Sequence, residues 1–78
     1  DRTVPIASYT DLEMAEHYKE HIRRLDLKQT SPSIVTLLSG YTIKHLDLSG
    51  NCCIDDAALD VFLGNNGCHL ESIDISRC

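Results

Sequence analysis

Apolar and polar positions recur in one order three times along the chain. Ile22-Arg23-Arg24-Leu25-Asp26-Leu27-Lys28-Gln29-Thr30, Ile43-Lys44-His45-Leu46-Asp47-Leu48-Ser49-Gly50-Asn51 and Leu70-Glu71-Ser72-Ile73-Asp74-Ile75-Ser76-Arg77-Cys78 share it. Each reads aliphatic, two variable residues, aliphatic, Asp, aliphatic, two variable residues, then Thr, Asn or Cys. The copies open at Ile22, Ile43 and Leu70, at similar intervals, so the unit is a repeat and not a lone motif. Aliphatics two apart point to one side of an extended strand, and the Asp between them points to the other. The closing Thr, Asn or Cys sits where the chain leaves the strand, and its side chain can bond backbone groups that the turn leaves unpaired. A single repeat cannot bury its own apolar side, so the pattern predicts parallel stacking into a solenoid.

Between the strands the pattern turns helical. Thr10-x-x-Glu13 reads as a capping box opening a helix to about Glu20, with Leu12, Ala15 and Tyr18 on one face and Glu13, His17 and Glu20 on the other. Ser31-Pro32 reads as an N-cap followed by proline at the first helical position. Ile34, Val35, Leu37 and Leu38 supply that helix's apolar stripe, and Gly40 is placed to end it. Asp55 or Asp56 can cap a third helix carrying Ala58, Leu59, Phe62 and Leu63, terminated by Gly64-Asn65-Asn66-Gly67. Val4-Pro5-Ile6 stands one repeat period ahead of Leu25 and Leu27 and reads as a degenerate first strand, which Pro5 confines to an edge. The organisation is a capping segment or degenerate repeat over 1–21, repeats over 22–42 and 43–69, and the strand of a truncated repeat over 70–78. The predicted core is Ile22, Leu25, Leu27, Leu37, Leu38, Ile43, Leu46, Leu48, Leu59, Phe62, Leu63, Leu70, Ile73 and Ile75.

Composition sharpens this picture. The 78 residues are 42% hydrophobic but hold no Trp and one Phe, so the core is built from aliphatics, chiefly ten Leu and seven Ile. A chain this short has room for one core. No apolar run approaches the roughly 20 residues needed to span a bilayer, and Asp1-Arg2-Thr3 opens no secretory leader. The net charge is −5, concentrated after residue 30, where Lys44 and Arg77 face six carboxylates. Such a surface repels phosphate backbones, which excludes nucleic acid as a partner. All four Cys lie after residue 50, and Cys52 and Cys53 are adjacent; a stapled secreted scaffold spreads its cysteines, so reduced thiols and an intracellular setting are expected.

Candidate chemistry is sparse. His17-Tyr18-Lys19-Glu20-His21 matches the H-x-x-E-H pattern, in which two imidazoles hold a metal and Glu activates water. A small metal-dependent hydrolase built on His17, Glu20 and His21 would need a further acidic ligand and a cleft, for which the repeats leave no room, so a solvated helix face is expected. Cys52, Cys53, Cys68, His69 and Cys78 could form a zinc cluster, but adjacent cysteines do not easily face one tetrahedral site and no C-x-x-C occurs. These thiols are expected to pack as small hydrophobes at turns. No catalytic residue, metal site or cofactor is therefore assigned. The outward strand positions form the candidate partner-binding surface on the concave face: Arg24, Asp26 and Lys28; His45, Asp47 and Ser49; Ser72, Asp74 and Ser76.

From Leu46-Asp47-Leu48-Ser49-Gly50, through Cys53-Ile54-Asp55-Asp56-Ala57-Ala58-Leu59, to Gly67-Cys68-His69-Leu70-Glu71-Ser72-Ile73-Asp74-Ile75-Ser76-Arg77-Cys78, the chain resembles the cysteine-containing, ribonuclease-inhibitor-like leucine-rich repeats of F-box substrate adaptors. Cys52-Cys53 followed by Ile54-Asp55-Asp56, with the lead-in Tyr18 to Asp26, is also similar to mitochondrial ATP synthase subunit s (coupling factor B) and to the distal membrane arm assembly component of respiratory complex I. The resemblance implies an α/β leucine-rich repeat solenoid, with a short parallel sheet of three or four strands and helices on the convex side. It further implies a non-enzymatic protein–protein interaction module, either a substrate-recognition or scaffold element of the ubiquitin-ligase type or a mitochondrial assembly or coupling factor. The expected partners are proteins, presenting a basic surface or belonging to a large complex, with no direct membrane insertion. The setting is cytoplasmic or nuclear, or mitochondrial in the second case. Residues 1–21 show no F-box-like segment, and the chain reads as a section of a longer array or an element completed by a partner.

Overall fold

The computed structural model describes residues 2–66 and 70–77. Among these residues four three-residue strands, β1 (Thr3–Pro5), β2 (Arg24–Asp26), β3 (His45–Asp47) and β4 (Ser72–Asp74), form one parallel sheet in the order β1-β2-β3-β4. Between them lie α1 (Tyr9–Glu16), a 3₁₀ turn (Lys19–His21), α2 (Pro32–Val35) and α3 (Asp56–Asn66). Each described strand pairs with its neighbours in sequence, which is the signature of a solenoid. The register aligns Val4, Leu25, Leu46 and Ile73 in one row and Pro5, Asp26, Asp47 and Asp74 in the next.

The ladder continues past each strand end. The N–H groups of Ile6, Leu27 and Leu48 donate to the carbonyls of Asp26, Asp47 and Asp74 at 3.1, 2.8 and 2.7 Å. Alternation then places Leu25, Leu27, Leu46 and Leu48 against the helices, where Ile22, Ile34, Val35, Leu38, Ile43 and Phe62 complete a buried cluster. Leu59, Leu63 and Leu70 pack against it half-buried. Ile6, Leu12, Ala15, Ile34, Val35 and Tyr41 extend the core beyond the predicted set.

Two buried side chains carry the repeat's closing position. The Thr30 hydroxyl donates to the carbonyl of Ile6. Asn51, one repeat on, donates through Nδ2 to the carbonyls of Leu27 (2.7 Å) and Thr30 (2.9 Å) and accepts the Cys53 N–H at 3.0 Å. Ile6 and Leu27 are equivalent positions, so each closing side chain stitches its turn to the preceding repeat. Cys78, at the third closing position, lies outside the described residues. A second buried amide, Asn66, accepts the Tyr41 N–H (2.9 Å) and donates to Leu38 and Phe62 carbonyls (both 2.8 Å), fastening α3 to the segment leading into β3. The Tyr41 hydroxyl is buried with no hydrogen-bond partner among the described residues.

Several expectations need correction. The first helix is capped by Ser8, not Thr10: Ser8 Oγ accepts the Asp11 N–H at 3.3 Å, and the Asp11 carboxylate accepts the Ala7 N–H at 2.9 Å. It ends at Glu16, a turn early, and the 3₁₀ turn that follows swings Tyr18 off the apolar face, leaving it 61% exposed. Helix α2 is a single turn; beyond it i→i+3 bonds replace the helical ladder, and Leu37 is turned outward at 52% exposure. Gly40 does not end that helix, which stops at Val35. It instead makes a left-handed turn (φ +82) and donates its N–H to Asn65. Gly64 lies inside α3, which Asp55 caps by accepting the Ala58 N–H at 2.9 Å. Gly67 falls outside the described residues. Ile73 and Ile75 are 39% and 56% exposed, because no described strand lies beyond theirs to cover them. Cys52 and Cys53 are exposed free thiols and not buried hydrophobes; Cys68 is not among the described residues.

Candidate interaction surface

The strand face opposite the helices is built from the positions that alternation leaves over. Register aligns Arg24, His45 and Ser72 in one row and Asp26, Asp47 and Asp74 in a second. Lys28, Ser49 and Ser76 each follow two positions after an Asp. A shallow depression of about 230 Å³ on this face is lined by Arg24, His45, Asp47, Ser72 and Asp74 with the edges of Leu25, Leu46 and Ile73.

Each Asp has a local structural task. Its carboxylate accepts the N–H two positions on: Lys28 on Asp26, Ser49 on Asp47 and Ser76 on Asp74, all at 2.9 Å. This turn motif ends the strand and explains why an acid recurs at that site. The hydroxyls of Ser49 and Ser76 add bonds of 2.6 and 2.7 Å. The Ser49 hydroxyl and then its N–H hold Asp47 below the ordinary carboxylate range. Asp74 is lowered first by the Ser76 N–H and then by the Ser76 hydroxyl, against repulsion from Asp47.

Positive charge is unevenly shared. The Lys28 ammonium lies between Asp26 and Asp47, at 3.5 and 3.7 Å. Asp74 has no ion-pair partner among the described residues, while Glu71, just ahead of β4, pairs with Lys44 at 3.6 Å. His45 Nδ1 and the Ser72 hydroxyl share a hydrogen bond of 2.6 Å across neighbouring strands.

The match that classifies this geometry covers its centre. Residues 42–63 match a family model described as Leucine Rich repeat. No curated protein and no solved structure matches the chain. The matched leucine-rich repeat contains β3, the Asn51 stitch and α3 through Leu63. The parallel sheet backed by helices gives the described residues a leucine-rich-repeat-like α/β solenoid architecture.

The His17, Glu20 and His21 set is not gathered on one helix. His17 is the C-cap of α1, whereas Glu20 and His21 belong to the 3₁₀ turn, and none of the three is buried. Of the cysteine cluster, only Cys52 and Cys53 are described, and among the described residues no group of three or more His, Cys, Asp or Glu is placed to hold a metal ion. No described helix is long and apolar enough to cross a membrane.

One feature escapes sequence reasoning. A groove of about 630 Å³ runs beside β1, lined by Val4, Pro5, Met14, Ala15, Tyr18 and Ile22, with Arg2, Asp11, His21 and Arg23 at its rim. Helical periodicity puts Tyr18 on the apolar face of a longer helix; the early end of α1 turns it into a wall of this groove. Met14, exposed on the same helix, is the sequence signal that could have pointed to it.

Proposed function

We propose that the protein is a non-enzymatic protein–protein recognition module that receives its partner on the strand face formed by Arg24, Asp26, Lys28, His45, Asp47, Ser49, Ser72, Asp74 and Ser76. The observation that carries this reading is the in-register alignment of these side chains on three parallel strands, which holds a polar array rigid. The favoured partner is a protein with a basic surface, since Lys28 serves only the first two acids of the column. Within this reading, the resemblance of residues 43–78 favours a substrate-recognition or scaffold element of the F-box type.

A second reading, a mitochondrial assembly or coupling factor acting within a large complex, is favoured by Cys52-Cys53-Ile54-Asp55-Asp56 ahead of α3. Proximity labelling separates the two: ubiquitin-ligase scaffold subunits support the first, and respiratory-chain or ATP synthase subunits the second. With the recovered partner, Asp47→Ala combined with Asp74→Ala should weaken binding several-fold. Unchanged affinity would remove the strand face as the interface.

A further inference from the structure

The strand face is not uniformly acidic, because its two rows carry opposite polarity. Asp26, Asp47 and Asp74 each accept the N–H two positions on, which draws every carboxylate of the second row toward the strand exits. The first row, at the strand entries, holds no acid: Thr3, Arg24, His45 and Ser72 align there. Along a strand the two rows stand about 6.6 Å apart, the rise of two residues.

Arg24 is the cation of this face left without a carboxylate. Lys28 lies between Asp26 and Asp47, Lys44 pairs with Glu71, and Arg23 donates to the Thr42 hydroxyl and the Glu20 carbonyl. The Arg24 guanidinium makes no ion pair and no hydrogen bond among the described residues. Beside it, His45 Nδ1 is taken by the Ser72 hydroxyl at 2.6 Å, which leaves Nε2 over. Arg24 and His45 are both half-buried, and both line the depression of about 230 Å³. Their strands are interior to the sheet, β2 between β1 and β3 and β3 between β2 and β4, so a described strand flanks each residue on either side.

We propose that Arg24 and His45 form a carboxylate subsite, which takes the side chain of an Asp or Glu on an extended segment of the partner protein, while the Asp row takes a basic residue two places away from it. A guanidinium offers paired N–H groups that match a carboxylate. With the Ser72 hydroxyl donating to Nδ1, the neutral His45 ring carries its proton on Nε2 and donates from there. A singly charged carboxylate suits this position better than a phosphoryl group, whose second charge would meet the aspartates one row away. Arginine held in a desolvating depression is also a common anchor of protein interfaces. Resting on the strand-face reading, this subsite refines the partner's chemistry from a basic surface to a segment in which acid and base alternate.

Three short peptides, acetylated and amidated so that their ends are uncharged, test this in NMR titrations of the intact protein: Thr-Lys-Thr-Lys-Thr, Thr-Glu-Thr-Lys-Thr and Thr-Lys-Thr-Glu-Thr. With a protein of net charge −5, attraction by overall charge alone favours the peptide with two lysines. The subsite predicts the reverse: one of the two mixed peptides, in the order that matches the rows, binds at least about fivefold tighter than the all-lysine peptide. Saturable shifts are expected at the amides of Arg24 to Asp26 and His45 to Asp47. Arg24→Gln should erase the preference while leaving the all-lysine peptide bound as well as before or better, which also shows that the face is intact. Asp47→Asn, which keeps an acceptor for the Ser49 N–H, should weaken every peptide. If the all-lysine peptide binds tightest, or Arg24→Gln leaves the preference unchanged, the carboxylate subsite is overturned and the strand-face reading stands. Absence of saturable shifts on the face with all three peptides would overturn both.

Discussion

The side-chain amide of Asn51 donates to the backbone carbonyl of Leu27, one repeat earlier, at 2.7 Å. The same amide serves the Thr30 carbonyl and the Cys53 N–H, so one buried side chain satisfies three backbone groups at the junction of two repeats. Asn51→Ala removes all three bonds from a site that water does not reach. A loss of about 2–4 kcal/mol is expected, since each unsatisfied buried group costs roughly 1–3 kcal/mol and the Leu27 carbonyl keeps the Thr30 N–H. Thr30→Val removes one donor and should cost less. Urea denaturation of the two variants gives the order, and an equal or smaller loss for Asn51→Ala would contradict the stitch.

Tyr41 presents the opposite case, a buried hydroxyl without a partner among the described residues. Tyr41→Phe keeps the ring and removes the unpaired group, so stability at neutral pH should hold or rise by up to about 1 kcal/mol. Burial, aided by the Glu16 carboxylate, pushes the Tyr41 pKa up to about 12 from 10.0. The folded state then keeps a proton that the unfolded chain releases, so this contribution is full below pH 10 and is lost as pH rises toward 12. Denaturation midpoints across that range should fall for the wild type and fall less for Tyr41→Phe.

Arg77 and Gly50 occupy the same place in successive repeats, and both have left-handed backbones, with φ of 64 and 73. Glycine adopts that conformation freely and arginine does not. Arg77→Gly should raise stability by about 0.5–1 kcal/mol. Gly50→Ala should lower it by about 1 kcal/mol through the backbone alone, since a Cβ there would meet nothing within 4 Å. Thermal melting checks both signs.

Asp47 and Asp74 are held below the ordinary carboxylate value of 3.8 chiefly by Ser49 and Ser76. Their contribution to stability is present above that value and declines as pH falls through their lowered values, because the unfolded chain takes up protons first. Ser49→Ala should move the Asp47 carboxyl upward in an NMR titration. Lys28→Ala should change stability by no more than about 0.5 kcal/mol, its two ion pairs being long and exposed.

What the sequence disclosed and what it withheld divide along physical lines. Strand positions were legible because alternation about Asp26, Asp47 and Asp74 fixes which side chains point inward, and the recurring pattern fixes the register. The task of Thr30 and Asn51 was legible because short polar side chains at a strand exit have backbone groups to serve. Helix lengths were not: α2 is one turn although its stripe promised two, since packing of Leu38 and the tie from Gly40 to Asn65 outweigh helical periodicity. The exposure of Ile73 and Ile75 depends on a neighbour and not on the residues themselves. Burial of Tyr41 and Asn66 arises in loops and helix ends, where no periodic signal exists. Of the candidate surface, the register and the acidic column could be read directly, whereas the groove beside β1 depends on where α1 stops.

The order of the strands in the sheet is also their order in the chain, and this governs assembly in time. Pairing partners such as Val4 and Leu25, or Leu46 and Ile73, are separated by a single repeat, so no rung requires closure of a longer loop. A polypeptide leaving the ribosome can therefore dock β2 on β1, and β3 on β2, before β4 has been synthesised. The Asn51 amide then latches its new turn onto one already in place.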